Sequence, residues 1–475
     1  MMRRLALVVV VALVSVLALF SVSAMAQNVD IESLSGLQFN FGNPGARSLG
    51  MGGAFLGLAD DASAAEANPA GLTILRKPEV SIEARNYLEQ QLFTTSGTFP
   101  VIERTAFTHH SDRVVLTFGS AVMPFKKFTF GLYYHEPLNN EGGGVVAPRQ
   151  DEITGKVTAL PNFYLPATGS GQNVTFGDPV TKTACEQIRQ QANNPFACVE
   201  FRVDPFVSAL SVRQRTYGIA AAWQIHPRFS VGITARHQRF LETAATFRYT
   251  QQFNPKQFLI QATAREKNGE VELQEASDTT FTAGFKWAPT DKISVGGVYK
   301  QGPEFDAPLF YADANTNFEF IDAADTKFHM PDIAGIGVSI RPIPVLTINV
   351  DAVNVKYSNL VDDFVSATAD VEGLDDPFRV DDVTELRVGA EYLFSTKIPF
   401  ALRAGYWRDP AHSVVWNGPL NHFNFIAEAL LYPEGEDQNH LSVGGGLAWQ
   451  RFQIDLAYDT SKHYKVGSIS MVTRF

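Results

Sequence analysis

The chain has 475 residues, 45% of them hydrophobic and only 19% charged, and a formal net charge of −11. Its mean hydropathy of −0.05 excludes a bundle of apolar helical spans, each of which needs about 18 or more consecutive apolar residues. It leaves open a β-barrel, where apolar and polar residues alternate and cancel. Aromatic residues at 12% are too many for a disordered chain, and the negative balance argues against a nucleic-acid partner.

Residues 1–26 carry Arg3 and Arg4, an apolar run from Leu5 to Leu19, and then Ala24-Met25-Ala26 as a small-x-small site. This is the layout of a cleaved secretory signal peptide, so the sequence predicts export. Residues 27–78 come next. Within them, 43–73 are dense in Gly and Ala with hardly any β-branched residues, a composition that permits close backbone packing and short helical turns. That suits a plug inside a barrel. A phosphate cradle at Gly50, Gly52 and Gly53 fails, because no Lys-Ser/Thr pair follows and no strand precedes.

From residue 79 the pattern becomes period-2. Phe128, Phe130, Leu132 and Tyr134 oppose Thr129, Gly131 and Tyr133; Phe452, Ile454, Leu456 and Tyr458 oppose Gln453, Asp455, Ala457 and Asp459. Such patterning predicts strands near 79–87, 114–123, 128–136, 213–224, 228–241, 278–288, 291–301, 332–341, 345–356, 384–394, 399–408, 440–449, 451–459 and 466–475. Their connections alternate between one to four residues and 26 to 76 residues, apart from a last one of six. Short turns at one end and long loops at the other are the asymmetry of an outer-membrane barrel. Fold class is therefore all-β: a 14-stranded antiparallel transmembrane β-barrel, 79–475, around an N-terminal hatch, 27–78, of short helices in the lumen. Apolar-face Phe residues (Phe128, Phe229, Phe400, Phe452) and Tyr residues (Tyr134, Tyr299, Tyr406, Tyr458) at opposite strand ends fit interfacial girdles.

The longest loop, 137–212, contains the two cysteines. Cys185 and Cys198 enclose twelve residues, and in an oxidising compartment such a pair closes as a disulfide. Loop 409–439 is the most apolar, and Phe423, Phe425, Ile426, Leu430 and Leu431 are the candidates for capturing a hydrophobic substrate; loops packing on one another would explain them equally well. Arg213, Arg215, Arg236 and Lys300 lie on or near inward faces, either as carboxylate-binding candidates or as lumenal charges paired with Asp or Glu. Enzyme motifs are missing: there is no His-Glu-x-x-His helix and no Gly-x-Ser-x-Gly elbow, and adjacent His109 and His110 would face opposite sides of a strand. No catalytic residue, metal site or cofactor is expected. The terminal Phe475, on one face with Ile469, Met471 and Thr473, resembles the assembly signal read by the barrel assembly machinery of Gram-negative outer membranes.

Specific motifs then carry a family resemblance. Ala46-Arg47, Gly50, Gly53-Ala54-Phe55, Ala59-Asp60-Asp61-Ala62-Ser63 and Asn68-Pro69-Ala70-Gly71-Leu72 resemble the hatch of the FadL-like outer-membrane family that transports long-chain fatty acids and hydrocarbons. Pro331-Asp332-Ile333-Ala334, Leu402-Arg403-Ala404-Gly405-Tyr406, His440-Leu441-Ser442-Val443-Gly444 and Asp455-Leu456-Ala457-Tyr458 extend the likeness, while 137–330 has no match. The resemblance implies a fourteen-stranded barrel, passive uptake of hydrophobic small molecules or fatty acids, a hatch motif at Asn68, Pro69, Ala70 and Gly71, and lateral exit at a kink in the third strand, where Gly131 is the candidate. It also implies a monomer in outer-membrane lipid. A barrel serving as a protein partner or secretion accessory, and a non-selective porin, are the alternatives.

Overall fold

The computed structural model describes residues 41–91, 108–109, 114–146, 149–150, 157–158, 162–170, 173–176, 180–195, 197–202, 206–250, 254–362, 378–416, 435–462 and 464–475. The expected signal peptide, 1–26, and the capture residues Phe423, Phe425, Ile426, Leu430 and Leu431 lie outside them. The barrel strands are β1 (Glu79–Gln91), β2 (Val114–Phe125), β3 (Phe128–Val146), β4 (Phe206–His226), β5 (Phe229–Tyr249), β6 (Ala276–Thr290) and β7 (Ile293–Lys300). They continue as β8 (Ile333–Ile343), β9 (Leu346–Val355), β10 (Val383–Phe394), β11 (Phe400–Asp409), β12 (Gln438–Ala448), β13 (Phe452–Thr460) and β14 (Tyr464–Arg474). Each pairs antiparallel with the next, and β14 returns to β1 from Glu79↔Arg474 to Gln90↔Tyr464. Closure satisfies the ladder of every strand, which a bilayer demands because lipid offers no hydrogen bonds.

Alternation decides what each face meets. Leu132 is 58% exposed, Ile219 65% and Leu441 63%, whereas Thr129, Ala220 and Ser442 on the other parity are buried. Such a continuous apolar outer band would be an aggregation surface in water and is a solvent match in lipid. Rings mark both edges of it. Phe128 and Trp223 stack at 6.0 Å and Phe394 and Phe400 at 4.4 Å near the short turns, while Tyr134 and Tyr217 meet at 5.5 Å at the opposite rim.

Three strands run furthest beyond the bounds the alternation predicts. β3 reaches Val146, β4 starts at Phe206 and β5 ends at Tyr249, with β3 and β4 paired out to Phe206↔Val146. Beyond the lipid there is no apolar environment to impose a face, so a polar, Gly-rich stretch such as Asn139–Gly144 continues the ladder with no period-2 signal. Outer strands Pro255–Ala262 and Leu309–Asp313 pair with each other, and the first also pairs with β5, raising the wall on that side.

Within the long third connection, a helix over Lys182–Ala192 starts at Thr181, whose hydroxyl accepts from the Ala184 amide at 3.2 Å. Cys185 of this helix is bonded to Cys198 across a Cα separation of 5.4 Å, as the spacing predicts. Closing a loop of about 15 residues is worth roughly 3 kcal/mol on the chain-entropy model. Cys198→Ser should therefore accelerate proteolytic cleavage between 180 and 202 while leaving the heat-resistant mobility of the barrel on gels unchanged. Loss of the barrel itself would contradict a purely local staple.

Candidate functional site

Residues 43–75 thread the lumen, with helix α1 at Ala46–Leu49, helix α2 at Ala64–Ala67 and a 3-10 turn at Pro69–Ile74. Phe55, Leu72 and the alanines between them are buried against the inner wall. Glycines on both sides let backbone meet backbone: a Cβ on Gly232 of β5 would lie 2.5 Å from the Ala70 nitrogen, and one on Gly405 of β11 would overlap the Gly52 nitrogen. Gly52 itself has φ +66°, a left-handed conformation in which a side chain is strained.

The predicted motif residues form the wedge of this hatch. Asn68 is fully buried; its amide donates to the carbonyls of Leu56 (3.2 Å) and Phe285 on β6 (3.1 Å), and its Oδ1 accepts from the Ala70 amide (3.2 Å). Pro69 opens the 3-10 turn, where its missing N–H costs nothing. The Ala70 carbonyl accepts from Ser230 Oγ at 2.9 Å, and a Cβ on Gly71 would overlap the Ala59 carbonyl.

Inward charges hold the rest, and of these Glu83, Lys286, Asp351 and Glu391 belong to no motif of the sequence. Asp351 Oδ2 accepts from the amides of Phe55 (2.7 Å) and Leu56 (2.8 Å), Lys286 donates to the carbonyls of Gly57 and Leu58, and Glu83 Oε2 accepts from the Gly45 amide at 2.8 Å. Arg47 of α1 reaches Asp60 (2.6 Å) and Glu391 (2.9 Å), and Arg403 joins Glu391 to Asp455 at 2.7 Å each. For Glu83, Lys286, Asp351 and Glu391 the one sequence signal is parity: they stand on the polar face of alternating strands.

Parity also sorts the four candidate cations. Arg236 and Lys300 point into the lumen, where Lys300 Nζ lies 2.9 Å and Arg236 Nε 4.0 Å from the carboxylate of Glu66 on α2. Tyr133 donates its hydroxyl to the same carboxylate. Burial alone would raise the Glu66 carboxyl; Lys300, Arg236 and His135 outweigh it and hold it down to about 2. Arg213 and Arg215, in contrast, share the outward face of Tyr217 and Ile219. There Arg213 pairs with Glu136 (2.9 Å), while Arg215 and Arg239 pair with Glu275. The expectation of an inward position fails for these two, because they lie an even number of residues from lipid-facing Ile219.

Gly131 faces inward in unbroken register with Val122 and Ala220, and its missing Cβ would make ordinary contacts with Leu72 and Ala65 at 3.5–3.6 Å. The irregularity of β3 lies higher. Gln214 pairs with Leu138 and Thr216 with His135, so Arg215 alone opposes Glu136 and Pro137 in a bulge. Pro137 has no N–H to give the ladder, which makes this the natural place for the register to slip.

On the loop side of the hatch the inner wall turns apolar. Leu138, Val212, Phe240, Val298, Phe305 and Met330 belong to one buried cluster that Val353, Val355 and Tyr357 continue along β9 and its exit. Phe240 stacks on Phe305 at 4.6 Å and on Phe328 at 5.0 Å. Next along β5, Glu242 is fully buried and neither carboxyl oxygen has a hydrogen-bond partner. An unsatisfied buried group costs about 1–3 kcal/mol. Glu242→Met should accordingly raise the temperature at which the barrel unfolds on heated gels; a fall would show that the carboxyl is needed for packing. Among the described residues no group of three or more His, Cys, Asp or Glu is placed to hold a metal ion.

Residues 35–468 match the model of a family described as outer membrane protein transport protein (OMPP1/FadL/TodX). No curated protein matches the chain. Among solved structures, the chain is similar to a FadL homologue of Pseudomonas aeruginosa, at 14% identity and a TM-score of 0.56, over 93% of this chain and 100% of that one. It is similar to the toluene transporter TodX of P. putida at 12% identity and 0.55, over 92% and 99%. The monoaromatic hydrocarbon channel CymD gives 17% identity and 0.52, again over 92% and 99%. At these identities the likeness is one of fold.

Proposed function

The chain belongs to the FadL/TodX family of outer-membrane transport proteins, and from that premise we propose that it is a passive channel for uptake of hydrophobic compounds. One observation carries the reading: a lumenal apolar cluster, from Leu138 to Tyr357, is stacked on a hatch whose polar seams seal the space below it. A porin with an open aqueous lumen has no use for either. The solved relatives named for toluene and monoaromatic hydrocarbons handle ligands of this kind.

The proposed path begins in the outer loops, with Phe423, Phe425, Ile426, Leu430 and Leu431 as capture residues. It continues into the lumenal cluster, where an apolar ligand gains about 0.8 kcal/mol per buried methylene. Rearrangement of the hatch around Asn68 and Pro69 then lets the ligand leave sideways through the wall. Beside Gly131, the bulge at Glu136 and Pro137 is the weaker point of β3, since the ladder there already lacks a donor. Lateral release keeps the ligand in an apolar phase throughout, and no ATP is needed. Insertion through the barrel assembly machinery by way of Phe475, and a monomeric state, belong to the same proposal.

The test is accumulation of radiolabelled long-chain and monoaromatic compounds by cells that lack their own channels, with and without this chain. Faster accumulation of at least one class, without added ion leakage, is the expected result. Unchanged accumulation of every class would reject the proposal, and stable co-purification with a secretion complex would replace it.

A further inference from the structure

We propose that Arg213, Arg215 and Arg239, on the outward face of β4 and β5 just above the lipid band, hold the phosphates of a glycolipid of the outer leaflet. The proposal uses the barrel and its membrane but not the uptake reading.

Three guanidiniums gather from two neighbouring strands. Arg215 of β4 stands directly opposite Arg239 of β5, and both pair with Glu275, the residue before β6. Arg213, two residues further up β4, donates to Glu136 of β3 through Nη2 (2.9 Å) and Nε (3.3 Å). Glu136 also accepts from the Tyr134 hydroxyl and the Asn139 amide, at 2.6 Å each. Within this network three permanent cations therefore share two carboxylates. A carboxylate engages at most two of the five N–H donors of a guanidinium, so each arginine keeps donors for a second anion. The side chains of Arg213 and Arg239 are 38% and 44% exposed, which leaves those donors within reach from outside. The chain as a whole carries −11. A net positive cluster on it is thus a local arrangement and not a consequence of composition.

Height decides which anion fits. Tyr134 and Tyr217 mark the rim of the apolar band, and below them Leu132, Ile219 and Ile233 are 58%, 65% and 56% exposed. Arg215 is two residues above Tyr217 and Arg213 four. On a strand tilted by about 40° those steps climb about 5 Å and 10 Å, and the headgroup layer of one leaflet is about 5–8 Å thick. The cluster therefore stands where lipid phosphates lie, at the long-loop end of the barrel, which faces the outer leaflet. A lipid with phosphates directly above several acyl chains meets both surfaces at once, its phosphates on the arginines and its chains on Ile219, Ile233 and Leu132. A soluble anion would gain nothing from the apolar surface below.

The test titrates the full-length chain in neutral detergent micelles with diphosphoryl lipid A and with the same lipid stripped of its phosphates, and reads bound lipid by native mass spectrometry. The diphosphoryl form should bind about tenfold or more tightly than the stripped one, with a difference that shrinks as salt is raised. Arg215→Gln with Arg239→Gln should lose about tenfold in affinity for the diphosphoryl form and leave the stripped lipid unaffected. Exposed ion pairs contribute little to stability, so the heat-resistant gel mobility of this variant should match that of the unmodified chain. Glu275→Gln, which removes the resident competitor, should bind the diphosphoryl form more tightly. Equal affinity of the unmodified chain for the two lipids would overturn the proposal even if the variants failed to fold. So would a phosphate preference that survives loss of both arginines, or complete displacement of the lipid by millimolar inorganic phosphate, which would mark a plain anion site. None of these readouts involves transport, so failure here leaves the uptake reading standing.

Discussion

Asn68→Asp should convert a sealed barrel into a leaky one. The substitution keeps the shape of the side chain but replaces the amide that donates to the Leu56 and Phe285 carbonyls with an oxygen that repels both. The site is fully buried, so water cannot step in. Losing two hydrogen bonds and leaving two carbonyls unpaired costs on the order of 3–6 kcal/mol, comparable to the whole stability of many domains. Other contacts seat the hatch as well, but among the described residues Asn68 is the one side chain that ties two hatch segments, 54–58 and 68–72, to β6. Single-channel recordings in planar bilayers should show small, rare openings for the unmodified chain and frequent large ones for the variant. Indistinguishable recordings would mean that Asn68 is not what holds the wedge.

Arg403→Met should destabilise the barrel by about 3–5 kcal/mol, the usual cost of stripping one partner from a buried pair. Arg403 holds Glu391 and Asp455 at 2.7 Å each and is 5% exposed, so its loss leaves carboxylates of β10 and β13 facing each other without a cation between them. Arg47 of the hatch also binds Glu391, which links hatch seating to the same network. The unfolding temperature on heated gels should fall. It should recover in large part when Asp455→Leu is added, because removing both charges also removes the cost of burying them. A double variant no more stable than the single one would show that the network is structural in some way other than charge compensation.

How much of this was legible in the sequence follows from what each face touches. Where a strand crosses lipid, one face must be apolar, so all fourteen barrel strands could be read from Phe128, Ile219 or Leu456 and their neighbours. Where β3, β4 and β5 leave the lipid, that constraint ends and so does the signal. The hatch was visible as a small-residue segment, since only such residues allow the approach of Gly52 to Gly405 and Ala70 to Gly232. Its partners were not, because Asp351, Lys286 and Glu391 are scattered singly along strands and meet only when the barrel closes. The outward position of Arg213 and Arg215 is carried by the parity of Ile219 and Tyr217, against the inward position that their charge alone suggests. Glu66, inside the hatch pattern, is silent in the sequence, because a lone carboxylate among alanines has no meaning until Lys300 and Arg236 are brought to it from strands more than 160 residues further along.

Photolysis of a tritiated aryl diazirine with the full-length chain in nanodiscs, followed by peptide mapping, tests most directly whether hydrophobic compounds occupy the lumen. Saturable labelling on inward residues of the cluster, such as Phe240, Phe305, Met330 and Val353, displaced by excess unlabelled hydrocarbon, is the expected result. Labelling confined to the lipid-facing residues, such as Phe130, Leu132 and Ile219, with no displacement, would contradict it.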